Sequence, residues 1–329
     1  MKIAILDDYQ DQVRQLSCFS ILNGHDVTIF NDTVTDLDLL IARLLPFDVL
    51  VLIRERTEIT PQLLAHLPNL KLISQTGKIS NHLCLDDCTQ HQVAVAEGIG
   101  SPTAPAELAW ALLMASMRHL PAYIEQFKQG SWQQSGQLGL GRTLAGLTLG
   151  IWGYGKIGQR LARYAQAFDM NVMVWGSEQS RIKAYSDGHR AAESKQAFFQ
   201  SCDVISLNLR LNDATRYIVS KRDLDMMKTD SLLLNVSRAE LIEPNALYNT
   251  LLECPSKRAA IDVHEQEPAN LYNQPLLTLP SVVATPHLGY VERNSYELYF
   301  KWALENVACF AKGQPENIAN PQVLSECAQ

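Results

Sequence analysis

The sequence lacks an apolar run long enough to cross a bilayer, and it lacks an excess of positive charge. Its densest apolar stretch, residues 109–115, falls far short of the ~18 residues that a membrane-spanning helix needs. Its 28 Lys and Arg against 35 Asp and Glu give a net charge of −7, whereas coating DNA or RNA requires a concentrated basic surface. The apolar start at residues 3–6 is too short for a signal-peptide core. These absences argue against membrane and nucleic-acid partners and predict a cytoplasmic protein.

Cysteine is sparse and follows no disulfide pattern. An odd number of scattered cysteines in a chain without an export signal predicts reduced thiols. His82, Cys84, Cys88 and His91 are residue types that can bind zinc, but their spacing matches no common zinc module, so we expect no metal site. The seven cysteines are Cys18, Cys84, Cys88, Cys202, Cys254, Cys309 and Cys327.

Short apolar strands alternate with helical patterns along the chain. With 329 residues, of which 47% are hydrophobic and 19% charged, the chain is long enough for two globular domains. Strands separated by helices are typical of parallel βαβ units, so the pattern predicts an α/β fold with two doubly wound, Rossmann-like parallel sheets. The predicted strands are 2–6, 27–30, 49–53, 70–74, 148–152, 171–175, 204–207, 232–236, 258–263 and 282–284, and the main predicted helices are 36–45, 60–67, 105–118, 157–168 and 291–312.

A glycine-rich turn follows the predicted strand 148–152 and opens a helix. Gly153-Tyr-Gly155-Lys156-Ile157-Gly158 has the spacing of a dinucleotide-binding loop. In such a loop the first glycine permits the tight turn, the second lets backbone approach a pyrophosphate, and the third allows close packing of helix on strand. The helix N-terminus stabilises the phosphate charge. This context predicts dinucleotide binding.

The residues after the next strand indicate which dinucleotide binds. In a typical NAD site a carboxylate at the end of this strand accepts a hydrogen bond from the ribose 2′-hydroxyl, but here Trp175 is followed by Gly176. Ser177 can bind a 2′-phosphate and Arg181 can neutralise it, whereas Glu178 can serve the hydroxyl and would repel the phosphate. NAD and NADP both stay open, and the balance of side chains favours NADP.

Three ionisable side chains follow the ends of later strands. They are Arg238 after 232–236, Glu267 after 258–263 and His287 after 282–284. Ligands of an open parallel sheet bind beyond the carboxyl ends of its strands, so we expect the three to converge. A carboxylate raises the basicity of an imidazole, and an arginine grips a substrate carboxylate. Each residue alone can be structural, but together they are the parts that hydride transfer to a ketone needs.

The chain resembles the D-isomer-specific 2-hydroxyacid dehydrogenase family over nearly its whole length. The matching segments are residues 149–158, 235–238, 262–268 and 285–289, in that order. The resemblance implies an oxidoreductase that interconverts a 2-keto acid and a D-2-hydroxy acid with NAD or NADP. It implies that His287 donates a proton to the keto oxygen with Glu267 as its partner, and that Arg238 polarises the ketone and holds the substrate carboxylate.

The resemblance also implies how the chain is divided. Residues 1–100 with 290–329 would form the substrate-binding domain and 101–289 an inserted dinucleotide-binding domain, with a cleft between them. Gly77 falls in the loop whose backbone N–H groups bind the substrate carboxylate, and Arg54 matches a substrate-facing arginine of the phosphoglycerate dehydrogenase branch. Asp262 matches a position near the nicotinamide amide. The family implies a homodimer, which the apolar helix 106–117 is expected to help bury.

Departures from the family pattern leave the substrate open. Lys78 stands where a small apolar residue is usual, and with Arg54 it predicts a substrate with additional negative charge, although both can equally be solvated cations. His264 replaces the aromatic residue that usually lies two positions after Asp262. Two alternatives accompany the reductase interpretation: a cofactor-binding scaffold of the corepressor type, and a 3-phosphoglycerate dehydrogenase.

Overall fold

The computed structural model describes residues 1–326 and divides the chain into two compact units. The first unit joins Met1–Ser101 with the residues from Glu292 onward, and the second unit is Pro102–Val291. Each contains one parallel sheet, which confirms the predicted α/β class. Cys327 lies outside the described residues. Within residues 1–326, every helix is too short or too polar to span a bilayer.

The elements follow one another as the alternating pattern predicts. The strands are β1 (Lys2–Ile5), β2 (Asp26–Ile29), β3 (Val49–Leu52), β4 (Leu72–Gln75), β5 (Ala94–Ala96), β6 (Thr148–Trp152), β7 (Asn171–Trp175), β8 (Arg190–Ala191), β9 (Val204–Leu207), β10 (Leu232–Asn235), β11 (Arg258–Ile261) and β12 (Val282–Ala284). The helices are α1 (Leu37–Leu44), α2 (Pro61–Ala65), α3 (Leu85–Gln90), α4 (Thr103–Met117), α5 (Leu120–Lys128), α6 (Lys156–Ala167), α7 (Glu178–Ser186), α8 (Lys195–Ser201), α9 (Lys221–Asp225), α10 (Ala246–Glu253), α11 (Arg293–Ala311) and α12 (Gln322–Glu326).

The first unit has a five-stranded sheet in the order β2-β1-β3-β4-β5. Its central strand β3 is made only of Val and Leu and is buried throughout, as expected for a strand covered on both faces. Thr60 caps α2 by accepting a hydrogen bond from the Leu63 N–H at 3.2 Å, and Pro61 occupies the first helical turn. The late helix α11 also belongs to this unit: on β4, Ser74 donates to the Ala303 carbonyl at 2.7 Å.

The second unit has a seven-stranded sheet in the order β12-β11-β10-β9-β6-β7-β8. The chain adds β7 and β8 on one side of β6 and then returns to add β9 on the other side. The strand order therefore reverses beside β6, and in open α/β sheets ligands bind at the carboxyl ends of the strands at such a point. The glycine-rich turn at Gly153 follows β6 and lies at this place in the topology.

The long apolar helix α4 packs inside the second unit. Ala109, Leu113 and Met117 are at most 1% exposed and pack in one cluster with Leu149 and Ile151 of β6. One face of the helix is thus covered by the sheet of the same chain, whereas Leu108, Trp110 and Met114 are only partly buried, so the expected share of helix 106–117 in a subunit interface stays a prediction. Large apolar side chains are also exposed on α5 and in the segment after it, at Leu120, Ile124, Phe127, Trp132 and Leu140.

Candidate active site

The glycine-rich turn between β6 and α6 needs two of its glycines for the fold itself. Gly153 has φ +99°, and a Cβ there would lie 2.6 Å from the Asn208 carbonyl oxygen. A Cβ on Gly158 would lie 2.4 Å from the Gly153 carbonyl oxygen, so only glycine lets α6 approach the turn. Ile157 is half-buried and packs against the core, whereas Lys156 is exposed.

Gly155 has a different reason to be glycine. It is the N-terminal cap residue of α6, has an ordinary φ of −82°, and a Cβ there would meet no protein atom within 4 Å. The protein itself therefore tolerates a side chain at this position. A side chain at Gly155 would, however, block a pyrophosphate, because the pyrophosphate needs close access to the backbone N–H groups at the N-terminus of α6. The residues of the turn thus fit a dinucleotide.

A tyrosine braces this turn against the helix that follows β7. The Tyr154 ring is 5% exposed, and its hydroxyl donates to Asp187 Oδ2 at 3.1 Å. The ring packs edge-on against His189, with centroids 5.8 Å apart. Burial and the Asp187 carboxylate raise the pKa of Tyr154, so the hydroxyl keeps its proton and stays a donor. The motif pattern alone gave no sign of this contact, because Asp187 lies beyond α7.

The predicted ribose-side residues lie on the first turn of α7. Ser177 caps this helix by accepting from the Ser180 N–H at 3.3 Å, and Arg181 follows one turn later. The Arg181 guanidinium carbon lies 5.1 Å from the centroid of the Trp175 ring at the end of β7. Among the described residues, its Nε is buried and has no hydrogen-bond partner. Glu178 is exposed at the start of the same helix.

His287 and Glu267 form a hydrogen-bonded pair. The distance from His287 Nδ1 to Glu267 Oε2 is 2.8 Å, and the two side chains are 24% and 34% exposed. The other carboxylate oxygen accepts from the His264 backbone N–H at 3.1 Å. Burial raises the pKa of Glu267, but these hydrogen bonds more than offset it, so its pKa lies below the ordinary value of 4.5. Glu267 is therefore ionised near neutral pH and accepts from Nδ1.

Asp262 organises the turn that carries His287. Its fully buried carboxylate accepts from the Thr285 hydroxyl at 2.6 Å and from the backbone N–H groups of Leu288 and Gly289 at 2.7 and 2.8 Å. Burial nevertheless raises the pKa of Asp262 above its ordinary value. His287 itself has φ +52°, a conformation that a non-glycine residue keeps only when its surroundings enforce it. The predicted contact of Asp262 with a nicotinamide amide stays a prediction.

Arg238 follows β10 and starts at the same sheet edge as the pair. Asn235, at the end of β10, donates from its side chain to the Arg238 carbonyl at 2.8 Å, and its amide oxygen accepts from the Ser237 N–H at 3.0 Å. The Arg238 guanidinium donates to the Ser237 carbonyl at 2.5 Å. Because β10, β11 and β12 are neighbours in the sheet, Arg238, Glu267 and His287 all follow adjacent strand ends.

Arg54 and Gly77 meet at the carboxyl ends of β3 and β4 in the first unit. A Cβ on Gly77 would lie 2.0 Å from Arg54 Nη1, so the guanidinium lies directly over the Gly77 backbone. Arg54 has φ +57°, its N–H donates to the Thr76 hydroxyl at 3.0 Å, and its guanidinium carbon lies 6.0 Å from the Tyr299 ring centroid. Lys78 forms an ion pair with Glu97, and its side chain is 61% exposed. The structure thus brings Arg54 and Gly77 together and gives Lys78 a partner of its own.

The cysteine and histidine group in the first unit is spread over separate contacts. Cys88 is buried, which raises its pKa to about 12, and His91 bonds through its ring to the Asp87 carbonyl. The His82 ring lies 3.1 Å from the Gln75 side-chain oxygen. In the part of the chain that the structure describes, no three His, Cys, Asp or Glu residues are placed to hold a metal ion.

Replacing Glu267 by Gln is expected to change two pH dependences. A carboxyl whose pKa is lowered by folding stabilises the protein above its ordinary pKa and loses that effect as the pH falls through the lowered value. The stability difference between wild type and Glu267→Gln should therefore be largest at neutral pH and shrink on acidification below about pH 4.5. Urea unfolding at several pH values measures this.

The same substitution should move the alkaline limb of the pH–rate profile to lower pH, because the protonated imidazole loses its carboxylate partner. Glu265→Gln, at an exposed neighbouring carboxylate, is the control. Identical profiles for wild type and Glu267→Gln would show that the pair has no part in proton transfer.

Comparison with known proteins agrees with this geometry. Residues 110–289, more than half of the chain, match the family described as D-isomer specific 2-hydroxyacid dehydrogenase, NAD binding domain. The chain is 32% identical over 276 residues to a glyoxylate reductase of Thermococcus litoralis, which covers 82% of each protein. It is 32% identical to a hydroxypyruvate reductase of Thermotoga maritima, covering 74% of this chain and 78% of that one.

A solved structure is similar over almost its full length. The phosphoglycerate oxidoreductase of Vibrio cholerae o395 superimposes with a TM-score of 0.94 at 62% identity, covering 95% of this chain and 99% of that one. The two-sheet fold, the dinucleotide turn and these matches agree on one kind of chemistry, the NAD(P)-linked interconversion of 2-keto and D-2-hydroxy acids. The chain therefore belongs to the D-isomer-specific 2-hydroxyacid dehydrogenase family.

Proposed function

We propose that the chain reduces a 2-keto acid that carries a second anionic group, with NADPH as the preferred cofactor and His287 as the proton donor. The observation that carries the proposal is the 2.8 Å contact between His287 Nδ1 and Glu267. Because the ionised carboxylate accepts from Nδ1, Nε2 is the ring nitrogen that can give a proton to the keto oxygen. The bound nicotinamide supplies the hydride.

Arg238 is proposed to act on the charge of the substrate. A guanidinium can bind a carboxylate through two parallel hydrogen bonds, and it stabilises the negative charge that develops on the keto oxygen. Asn235 fixes the backbone on both sides of Arg238, which supports a site that is set before the substrate binds. The second unit, with Gly153, Gly155 and Gly158, is proposed to be the dinucleotide-binding domain, and the first unit the substrate-binding domain.

The second anionic group is proposed to bind at Arg54 and the Gly77 backbone. The Arg54 guanidinium lies over the Gly77 backbone, and a guanidinium suits a carboxylate or a phosphate because it can bind either through two parallel hydrogen bonds. The similar Vibrio cholerae protein is a phosphoglycerate oxidoreductase by name, which supports a doubly charged substrate. Lys78 contributes only if it leaves Glu97, so we assign it a smaller effect than Arg54.

The test is NADH and NADPH oxidation against a panel of 2-keto acids. Glyoxylate, hydroxypyruvate and pyruvate carry one charge, whereas 2-ketoglutarate and phosphohydroxypyruvate carry a second anionic group. We expect higher kcat/KM for the second set, and we expect Arg54→Met to remove that advantage while leaving the singly charged acids less affected, because it deletes one cation. Equal loss for all acids would contradict a role for Arg54 in the second charge. Tight dinucleotide binding with no turnover on any acid would favour a scaffold.

The preference for NADPH rests on α7. Ser177 and Arg181 lie on one turn of the helix, and the Arg181 side chain is supported by the Trp175 ring. Ser177→Asp is expected to shift the ratio of kcat/KM for NADPH over NADH toward NADH, because a carboxylate repels the 2′-phosphate and accepts from a 2′-hydroxyl. Ser186→Asp, at the other end of α7, is the control for added charge. An unchanged ratio would place the ribose elsewhere.

A second copy of this chain is the proposed partner, with α5 as the contact surface. Ile124 and Phe127 on α5 are 53% and 62% exposed, and Trp132 after it is 72% exposed. A cluster of exposed large apolar side chains is typical of a surface covered by another protein. Sedimentation measures the state directly. The six described cysteines are all free thiols, which supports a cytoplasmic location.

A further inference from the structure

His264 occupies an unusual place beside the His287–Glu267 pair. It is 7% exposed and lies two residues after Asp262. Both ring nitrogens have partners: Nε2 lies 3.0 Å from the Thr285 carbonyl oxygen, and Nδ1 lies 3.3 Å from Gln274 Nε2. An aromatic hydrocarbon ring at this position would fill the same space but would make neither contact.

These partners fix which ring nitrogen carries the proton. A carbonyl oxygen can only accept, so His264 Nε2 donates to Thr285. The Gln274 side-chain oxygen accepts from the Leu276 N–H at 3.4 Å, which turns its amide nitrogen toward Nδ1 as a donor. Gln274 is itself 8% exposed. Each donor therefore meets an acceptor: the Gln274 amide donates to the His264 ring, and the His264 ring donates to the Thr285 carbonyl.

The Thr285 carbonyl belongs to the turn that carries His287. Asp262 holds the same turn through the Thr285 hydroxyl and through the backbone on the far side of His287. The ring of His264 adds a further hydrogen bond to this turn, at a carbonyl two residues before His287. Because His287 has φ +52°, its backbone needs such attachments to keep the imidazole aimed in one direction.

We propose that His264 is a positioning residue: through its ring it fixes the Thr285 turn and so orients the His287 imidazole against Glu267. The proposal rests on the proposed role of His287 as proton donor. The part of His264 that orients the His287 imidazole is its side chain. Its backbone N–H, which donates to Glu267, would be present with another residue at this position. Gln274 acts through His264 by keeping the proton on Nε2.

His264→Phe is the main test, since it keeps an aromatic ring and loses both ring contacts. We expect kcat for keto acid reduction to fall roughly ten- to a hundredfold, with the KM for cofactor and keto acid nearly unchanged. His264→Gln, whose amide nitrogen can again donate to the Thr285 carbonyl, should recover part of the loss. Gln274→Leu should lower kcat less, and adding it to His264→Phe should cause little further loss, because both act through one contact.

Thr250→Val is the matched control. Thr250 is 2% exposed in the second unit, and its hydroxyl donates to Asp225 Oδ1 at 3.3 Å, so this variant also removes a hydrogen bond made by a buried side chain. It should lower stability without changing kcat. If His264→Phe behaves like Thr250→Val, losing stability but keeping kcat, the ring of His264 has only a structural role and the proposal is wrong.

A measurement without turnover separates this proposal from the proposed function. The proton between His287 Nδ1 and Glu267 should give a downfield ¹H resonance, identified by its loss in His287→Asn. In His264→Phe we expect this resonance to broaden or move upfield, and in Thr250→Val to stay in place. An unmoved resonance in His264→Phe overturns the proposal even if no keto acid is reduced. Absence of turnover in the wild type would count against the proposed function alone.

Discussion

Replacing His287 by Asn is expected to lower kcat for keto acid reduction by roughly a hundred- to ten-thousandfold, the range ascribed to a positioned general acid. Asn can still accept or donate hydrogen bonds, but it cannot deliver a proton at neutral pH. The dinucleotide Kd should change little, because the glycine turn that is proposed to bind it follows β6 rather than β12. Stopped-flow or steady-state absorbance at 340 nm measures kcat, and cofactor fluorescence measures the Kd.

His66→Asn is the matched control for this substitution. His66 is an exposed histidine of the first unit whose ring bonds only locally, to the Gln62 carbonyl at 2.8 Å. This variant should keep full activity. Retention of wild-type kcat by His287→Asn would remove His287 as the proton donor, whereas loss of cofactor binding together with kcat would point to a damaged fold.

The second large effect is expected from two alanine substitutions in one turn. Gly158→Ala places a methyl group 2.4 Å from the Gly153 carbonyl oxygen, so we expect the free energy of unfolding to fall by roughly 1–3 kcal/mol and dinucleotide binding to be lost with the turn geometry. Gly155→Ala meets no protein atom within 4 Å, so unfolding should change by less than about 0.5 kcal/mol. Thermal or urea unfolding gives both values.

Dinucleotide affinity then distinguishes the roles of the two glycines. In Gly155→Ala we expect the Kd to rise by roughly tenfold or more, because the methyl group occupies the approach to the α6 N-terminus that a pyrophosphate requires. Gly146→Ala, at an open position before β6, controls for substitution of a glycine as such, although its φ of +80° will cost some stability. Unchanged affinity in Gly155→Ala would place the phosphates away from this turn.

Features encoded by short, contiguous patterns were predictable from the sequence. The glycine spacing predicts the turn between β6 and α6, and the strand pattern predicts that Arg238, Glu267 and His287 follow strand ends at one edge of the sheet, where β10, β11 and β12 are indeed neighbours. This works because parallel strands present their carboxyl ends at one edge, whatever their side chains. Strands β5 and β8 give no such signal, since three residues and two residues are too few to show a pattern.

Contacts between distant segments were not predictable. The role proposed for His264 depends on the hydrogen bonds of its ring with Gln274 and Thr285, and only the folded chain brings those three residues together. The same holds for Arg54 and Tyr299, which come from opposite ends of the sequence. Lys78 is a further example: the sequence predicts that this cation meets substrate charge, and only the folded chain shows that it is paired with Glu97, a residue nineteen positions later. A contact between two separated residues produces no periodic pattern in the sequence, so sequence analysis does not reveal it.

The division of the first unit between the two ends of the chain has a consequence for synthesis on the ribosome. Strand β4 needs α11 to cover it, and the Val95 N–H needs Asn320 as its hydrogen-bond acceptor, at 2.8 Å. Both partners emerge only after the whole second unit has been translated. The face of the first sheet that α11 covers therefore stays exposed during synthesis of the second unit, which is continuous in sequence and can fold in that time. A chaperone that binds the nascent chain would be needed most during that interval.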